Sequence, residues 1–168
     1  MKGSDSFAPL AATKTIAFDK TGTITKGRFA VRDRRTDESS LSALAAAESK
    51  FNHPIALALS AENTKGCVCT SAEDVSGKGI RAVVDEHNLT AGTHAFMLES
   101  GVDCKDADTP YTVVHIAIDG EYRGYVTVAD EIKENSKDAV DACRKEGIKT
   151  VMLTGDRPEV ALAVAREV

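Results

Sequence analysis

Asp19 closes a short apolar run, Thr15-Ile16-Ala17-Phe18, and Lys20-Thr21-Gly22-Thr23-Ile24-Thr25 follows at once. The run predicts a buried strand ending on a carboxylate. The glycine-bearing turn presents that carboxylate at the strand's C-terminal edge, where open α/β sheets bind ligands. A carboxylate there can attack a phosphoryl group and form an acyl phosphate. A second place for phosphate chemistry is Thr154-Gly155-Asp156, at the end of an apolar strand expected over residues 149–153. A helix follows it, and helix N-termini favour anions. Glu48 and His53 bring a carboxylate and an imidazole to the corner between two expected helices, and Gly77-Lys78-Gly79 and Gly92 mark places where only a backbone is presented.

The elements that must hold these residues can be read from periodicity and caps. A first strand spans 13–19, and residues 20–34 leave it through Gly22 and Gly27. Arg32 to Glu38 reads as solvated surface. Ser39 or Ser40 offers an N-cap for a helix through about Lys50, with Leu41, Leu44, Ala45 and Glu48 on one face. Pro54 suits the first turn of a second helix over 54–64, with Ile55, Ala58 and Leu59 turned inward. Strands follow from Cys67 to about Thr93, with a turn at Asp85-Glu86-His87-Asn88. A short helix over 94–100 stops at Gly101. A β-branched strand over 111–118 turns at Asp119-Gly120 into Tyr122–Val128. Asn135 caps a helix to Glu146, with Asp138 at the reciprocal position. A last helix begins at Arg157 with Pro158 in its first turn. The fold class expected is α/β: an antiparallel sheet with flanking helices, over 29–123, inserted into a partial parallel α/β domain made of 1–28 and 124–168.

Composition narrows the classes. The 168 residues suffice for one or two domains with real cores, and the aromatic content of 5% leaves those cores to Ala, Val, Ile and Leu. Net charge is −5 with no basic block, so no nucleic-acid partner is expected. No apolar run reaches the length of a membrane span, and the N-terminus lacks the apolar stretch of a signal peptide. Cys67-Val68-Cys69 is half of a soft-metal site at most. No second Cys pair or nearby His completes it, and it reads as one face of a strand in a reduced compartment. His87 and His94 fall in no motif, and His115 reads as a structural or surface-facing strand residue.

The heptad Asp19 to Thr25 resembles the phosphorylation motif of the P-type ATPases, D-K-T-G-T-hydrophobic-T. Phosphatases of the haloacid-dehalogenase superfamily share the expected fold, but they carry a second Asp two residues on, as acid and base. Here that position is Thr21, whose hydroxyl cannot do that work near neutral pH. The phosphoenzyme should therefore persist, as a pump requires. Glu48-x4-His53-Pro54 and Gly77-x-Gly79-Ile80 resemble the heavy-metal-transporting branch, more its zinc and cadmium exporters than its copper exporters. That resemblance covers nearly the whole chain, and its cofactors are ATP and Mg²⁺. It implies that Glu48 accepts from the adenine amino group, that His53 lies against the base, and that Gly77, Gly79 and Gly92 admit the nucleotide. After Gly92 the branch often has Asn where this chain has Thr93.

On the phosphate side, the resemblance gives Lys20, Thr21, Thr154 and Gly155 to the phosphoryl group, and Mg²⁺ to the Asp19 carboxylate and the Thr21 carbonyl. It makes Lys2-Gly3-Ser4 the segment just after a membrane helix. The region would then lie on the cytoplasmic face of a membrane protein, with transmembrane and further phosphorylation-domain segments as its partners. A downstream Lys and a Gly-Asp-Gly-x-Asn-Asp segment of the family have no match here. The stretch by itself is therefore expected to bind ATP without turning it over, and to self-associate through an unpaired sheet edge. Two other readings stand beside this one. A stand-alone phosphohydrolase is disfavoured by Thr21 and the inserted nucleotide motifs. A non-catalytic nucleotide-binding module fits the chain taken literally.

Overall fold

The computed structural model describes residues 12–168, so Lys2-Gly3-Ser4 lies outside the described residues. The strands are β1 (Thr15–Asp19), β2 (Thr25–Thr36), β3 (Cys69–Val75), β4 (Gly79–Val84), β5 (His87–Gly92), β6 (Thr112–Ile118), β7 (Glu121–Ile132) and β8 (Lys149–Leu153). The helices are α1 (Glu38–Glu48), α2 (Pro54–Ser60), α3 (His94–Glu99), α4 (Ser136–Lys145) and α5 (Pro158–Glu167). The chain forms two compact units, one of residues 28–129 and one of residues up to 27 together with 130–168. The return lies inside β7, later than the residue 124 read from the sequence, because β7 continues as one strand to Ile132.

In the 28–129 unit six strands lie in the order β2-β7-β6-β5-β4-β3, and β3 through β7 pair antiparallel. Strand alternation divides the side chains between two faces. Ile80, Ala82, Val84, Leu89, Ala91, Val114 and Ile116 pack with Leu41, Leu44, Ala47 and Leu59 of α1 and α2. Ala117, one residue beyond Ile116, instead packs with Phe96 and Met97 of α3. Every residue of α1 from Ser40 to Glu48 is buried, so its Ala-rich sequence lets it sit close on all sides rather than along one stripe. Leu44 is fully buried there, and truncation to Ala costs about 2–5 kcal/mol at such positions.

Several local expectations shift. The N-cap of α1 is Asp37 rather than Ser39 or Ser40. Its carboxylate accepts from the Ser40 amide (2.9 Å) and hydroxyl (2.6 Å), and those bonds hold its pKa down. The second helix stops at Ser60 instead of 64. The Asp85 turn is tighter than read: Asp85 and Glu86 alone take positive φ, and His87 and Asn88 already pair in β5. His115 is fully buried, with Nδ1 2.9 Å from the Tyr122 hydroxyl.

In the other unit β1 and β8 pair parallel, with Asp19 opposite Leu153. Val140 of α4 and Val164 of α5 pack with Ile24, Phe18 and Met152. That covering is one-sided. Phe18 and Met152 are half-buried, whereas Ala17, Val151 and Leu153 are exposed, so β1 is not the fully buried strand expected. Asn135 makes no side-chain cap to α4; the neighbouring Ser136 hydroxyl donates to the Ile24 carbonyl at 2.7 Å.

Candidate functional site

Parallel pairing of β1 with β8 brings Asp19 and the Thr154 segment to one sheet edge, because both strands end there. Asp19 is exposed, and its side chain caps none of the amides of the turn that follows. Gly22 takes φ +77° in that turn, a conformation an L side chain rarely adopts. Besides the Ser136 bond to Ile24, the returning chain fastens the turn through three more. The Thr25 hydroxyl donates to Asp130 Oδ2 (2.6 Å), Lys133 Nζ donates to the Gly22 carbonyl (2.5 Å), and the Lys133 amide donates to the Ile24 carbonyl (3.0 Å). The turn that follows Asp19 is thus held by residues more than a hundred positions away.

Lys20, the residue after Asp19, is buried. Its amine lies 2.8 Å from Asp156 Oδ2 and 3.7 Å from Asp130 Oδ2. The structure therefore ties Lys20, which the resemblance assigned to phosphate, to two carboxylates. The Thr154 hydroxyl accepts from the Asp156 amide at 3.1 Å, Gly155 is exposed, and Thr21 is exposed on the turn. Asp130 is the residue that sequence reading missed. Its side chain is nine-tenths buried, and Oδ1 has no hydrogen-bond partner among the described residues. The available signal was an acidic residue ending the β-branched run of β7, where another apolar residue would have prolonged the core.

In the 28–129 unit, Glu48 ends α1 and His53 caps α2, across a turn of four residues, as the sequence spacing implied. His53 Nδ1 accepts from the Ala56 amide at 3.1 Å, and Nε2 stands 3.7 Å from Glu48 Oε2. Phe51 stacks on the imidazole with ring centroids 6.3 Å apart. Burial pushes the Glu48 carboxyl up to about 7, with Asp74 adding like-charge repulsion. A carboxyl raised on folding opposes stability as pH rises: between about 4.5 and 7 the unfolded chain ionises while the folded chain keeps its proton. Glu48→Gln, neutral throughout, is expected to be the more stable chain above pH 7, by on the order of 3 kcal/mol. Urea midpoints at pH 5 and pH 8 check this, and a gap that does not widen with pH contradicts it.

Gly79 and Gly92 face each other across β4 and β5. A Cβ on Gly79 would lie 2.1 Å from the Ala91 carbonyl oxygen, and one on Gly92 2.3 Å from that of Lys78. Gly77 is different: its φ is +71° with open space around it. Strand packing alone thus explains two of the three glycines, while the hairpin turn explains Gly77. A cavity of about 490 Å³ in this unit, lined by Arg35, Lys105, Asp106, Tyr122 and Tyr125 among others, contains none of the expected nucleotide residues. Among the described residues no three His, Cys, Asp or Glu side chains are grouped to hold a metal ion. Cys69 is buried and donates to the Ser71 carbonyl, and Cys67 packs against the same core. No helix among the described residues is long and apolar enough to cross a membrane.

The haloacid dehalogenase-like hydrolase family model matches residues 13–168. A zinc-transporting ATPase of Synechocystis is 43% identical over all of this chain, which covers 24% of that protein. A copper-exporting P-type ATPase of Staphylococcus saprophyticus is 38% identical over 99% of the chain and 22% of its own length. The crystal structure of a zinc-transporting PIB-type ATPase in its E2.Pi state superposes with a TM-score of 0.83 at 26% identity, over 99% of this chain and 30% of that one. The chain therefore spans about a quarter of the curated relatives it matches. An exposed aspartate at the end of β1, followed by Lys-Thr-Gly-Thr and faced by the Thr154 segment, accords with that likeness, and the chain belongs to the haloacid dehalogenase-like hydrolases and, within them, to the catalytic ATP-binding and phosphorylation region of the heavy-metal-transporting P-type ATPases.

Proposed function

We propose that residues 28–129 bind ATP through Glu48, His53 and the Gly77, Gly79 and Gly92 backbone, and that Asp19 takes the γ-phosphoryl group. Its carboxylate oxygen forms the new bond to phosphorus as the bond to the ADP oxygen breaks. The observation that carries the reading is an exposed Asp19 with Thr21, not an acid, two residues on. Lacking that acid and base, the acyl phosphate outlives its formation and serves a transport cycle. Thr21, Thr154 and Gly155 bind the phosphoryl group, and Lys20, paired with Asp156 and Asp130, supports the turn that presents Asp19 to it. Asp19 and the Thr21 carbonyl are oxygen donors of the kind that suits Mg²⁺, which when bound neutralises charge on the transferring group. The longer protein spans a membrane with this region on the cytoplasmic side. It exports zinc or cadmium, in keeping with the zinc-transporting relative.

In the full-length protein, Asp19→Asn is expected to abolish acid-stable, hydroxylamine-labile labelling from γ-labelled ATP. Label that persists in the variant places the nucleophile elsewhere. ATPase activity of the same membranes should respond to zinc or cadmium more than to copper(I), and the reverse order overturns the choice of cargo alone.

A further inference from the structure

Glu48 is a buried acid with little to balance its charge. It is 4% exposed, and Oε2 has no hydrogen-bond partner among the described residues. As the last residue of α1 it sits at the helix end that already carries partial negative charge. Asp74 of β3 adds a second like charge. His53 stands at the start of α2, with Nε2 the cation-capable atom paired to Glu48. Its Nδ1 accepts from the Ala56 amide, so the neutral ring carries its proton on Nε2, 3.7 Å from Oε2. That distance is too long for a hydrogen bond. A second ring proton would have to sit on Nδ1, where it would break the α2 cap. The proton that neutralises this corner therefore belongs on Glu48.

We propose that nucleotide binding expels a proton from Glu48, so that the empty site holds a carboxylic acid and the occupied site a carboxylate. The inference rests on the nucleotide-site reading above. A bound adenine amino group brings a hydrogen-bond donor to the carboxyl group, and the His53 Nε2–H, 3.7 Å from Oε2, adds the positive end of a nearby dipole. An ionised carboxylate accepts the amino group in a charge-assisted bond, stronger than the one a neutral acid's carbonyl oxygen would accept. The proton leaves to solvent, and the charge gained on Glu48 is stabilised by the adenine amino group's hydrogen bond and by the nearby His53 Nε2–H dipole. The affinity of this region for ATP thereby becomes a function of pH. It is constant above Glu48's midpoint, near 7, and falls below it.

Titration of the chain with ADP across pH 5.5–8.5 tests this, in buffers of different ionisation enthalpy, with Glu48→Gln as the comparison. The nucleotide's own phosphate titration is common to both proteins and cancels. Relative to the variant, the wild type should lose affinity about tenfold per pH unit below the midpoint and release close to one additional proton at pH 6. Infrared difference spectra should show a carboxylic-acid carbonyl band lost on adding ADP to the wild type and absent from Glu48→Gln. Parallel pH profiles with equal proton counts, or proton uptake, overturn the inference while leaving nucleotide binding intact. A wild type that binds no ADP at any pH overturns both this and the nucleotide-site reading.

Discussion

Gly92→Val should leave the 28–129 unit unfolded at room temperature, and Gly92→Ala should lower its stability by roughly 4 kcal/mol or more, at the severe end of single substitutions. An added Cβ would lie 2.3 Å from the Lys78 carbonyl oxygen and 2.7 Å from the Gly79 Cα. Both obstacles are backbone atoms, so no side-chain rotation relieves them. Separating β4 from β5 would relieve them, but those two strands carry Ile80, Ala82, Leu89 and Ala91 into the main core. The backbone at Gly92 also has φ +156°, which disfavours a side chain independently of space. Gly77→Ala supplies the control. Its φ is +71° with nothing within 4 Å, so only the left-handed conformation is penalised, at about 1–2 kcal/mol. Denaturant midpoints of the two alanine variants decide the matter: equal losses would mean that the close approach of the two glycines is not what constrains Gly92.

These glycines also show what the sequence could and could not disclose. Gly77-Lys78-Gly79 is legible as a turn, and its order after Glu48 and His53 is legible as a motif. The mutual contact of Gly79 with Gly92 is not, because it depends on the register of β4 against β5, which no local pattern specifies. The helix corner was legible because Pro54 fixes where α2 begins, and the five-residue spacing then fixes which side chains meet. The N-cap of α1 was misplaced because Asp37, Ser39 and Ser40 are all good caps, and only the geometry selects the carboxylate over the hydroxyls. On the phosphate side, β1, β8 and Thr154 were readable from apolar runs ending in polar residues. Asp130 was not, since its importance comes from a contact with Thr25 across 105 positions of sequence.

Lys20→Met should destabilise the unit containing β1 and β8 by about 3–5 kcal/mol, the range expected when one partner of a buried charge cluster is removed. Lys20 is 6% exposed and stands between Asp156 and Asp130. Methionine fills much the same volume, so the loss would be electrostatic rather than a cavity. Asp156 is a third exposed and can turn to water. Asp130 cannot: its side chain is nine-tenths buried, Oδ1 has no partner, and only the Thr25 hydroxyl would remain on Oδ2. Adding Asp130→Asn to Lys20→Met removes the stranded charge and should restore a substantial part of the loss. The same Asp130→Asn change in the wild-type background should be destabilising, because it weakens the bond that holds Thr25 and leaves Lys20 with one carboxylate fewer. Opposite signs in the two backgrounds are the signature of coupling through a shared charge. Chemical denaturation of the four proteins at pH 7 measures it. Additive effects would mean that Lys20 and Asp130 do not act together, and that Asp130 serves the turn presenting Asp19 through its bond to Thr25 and not through the charge of Lys20.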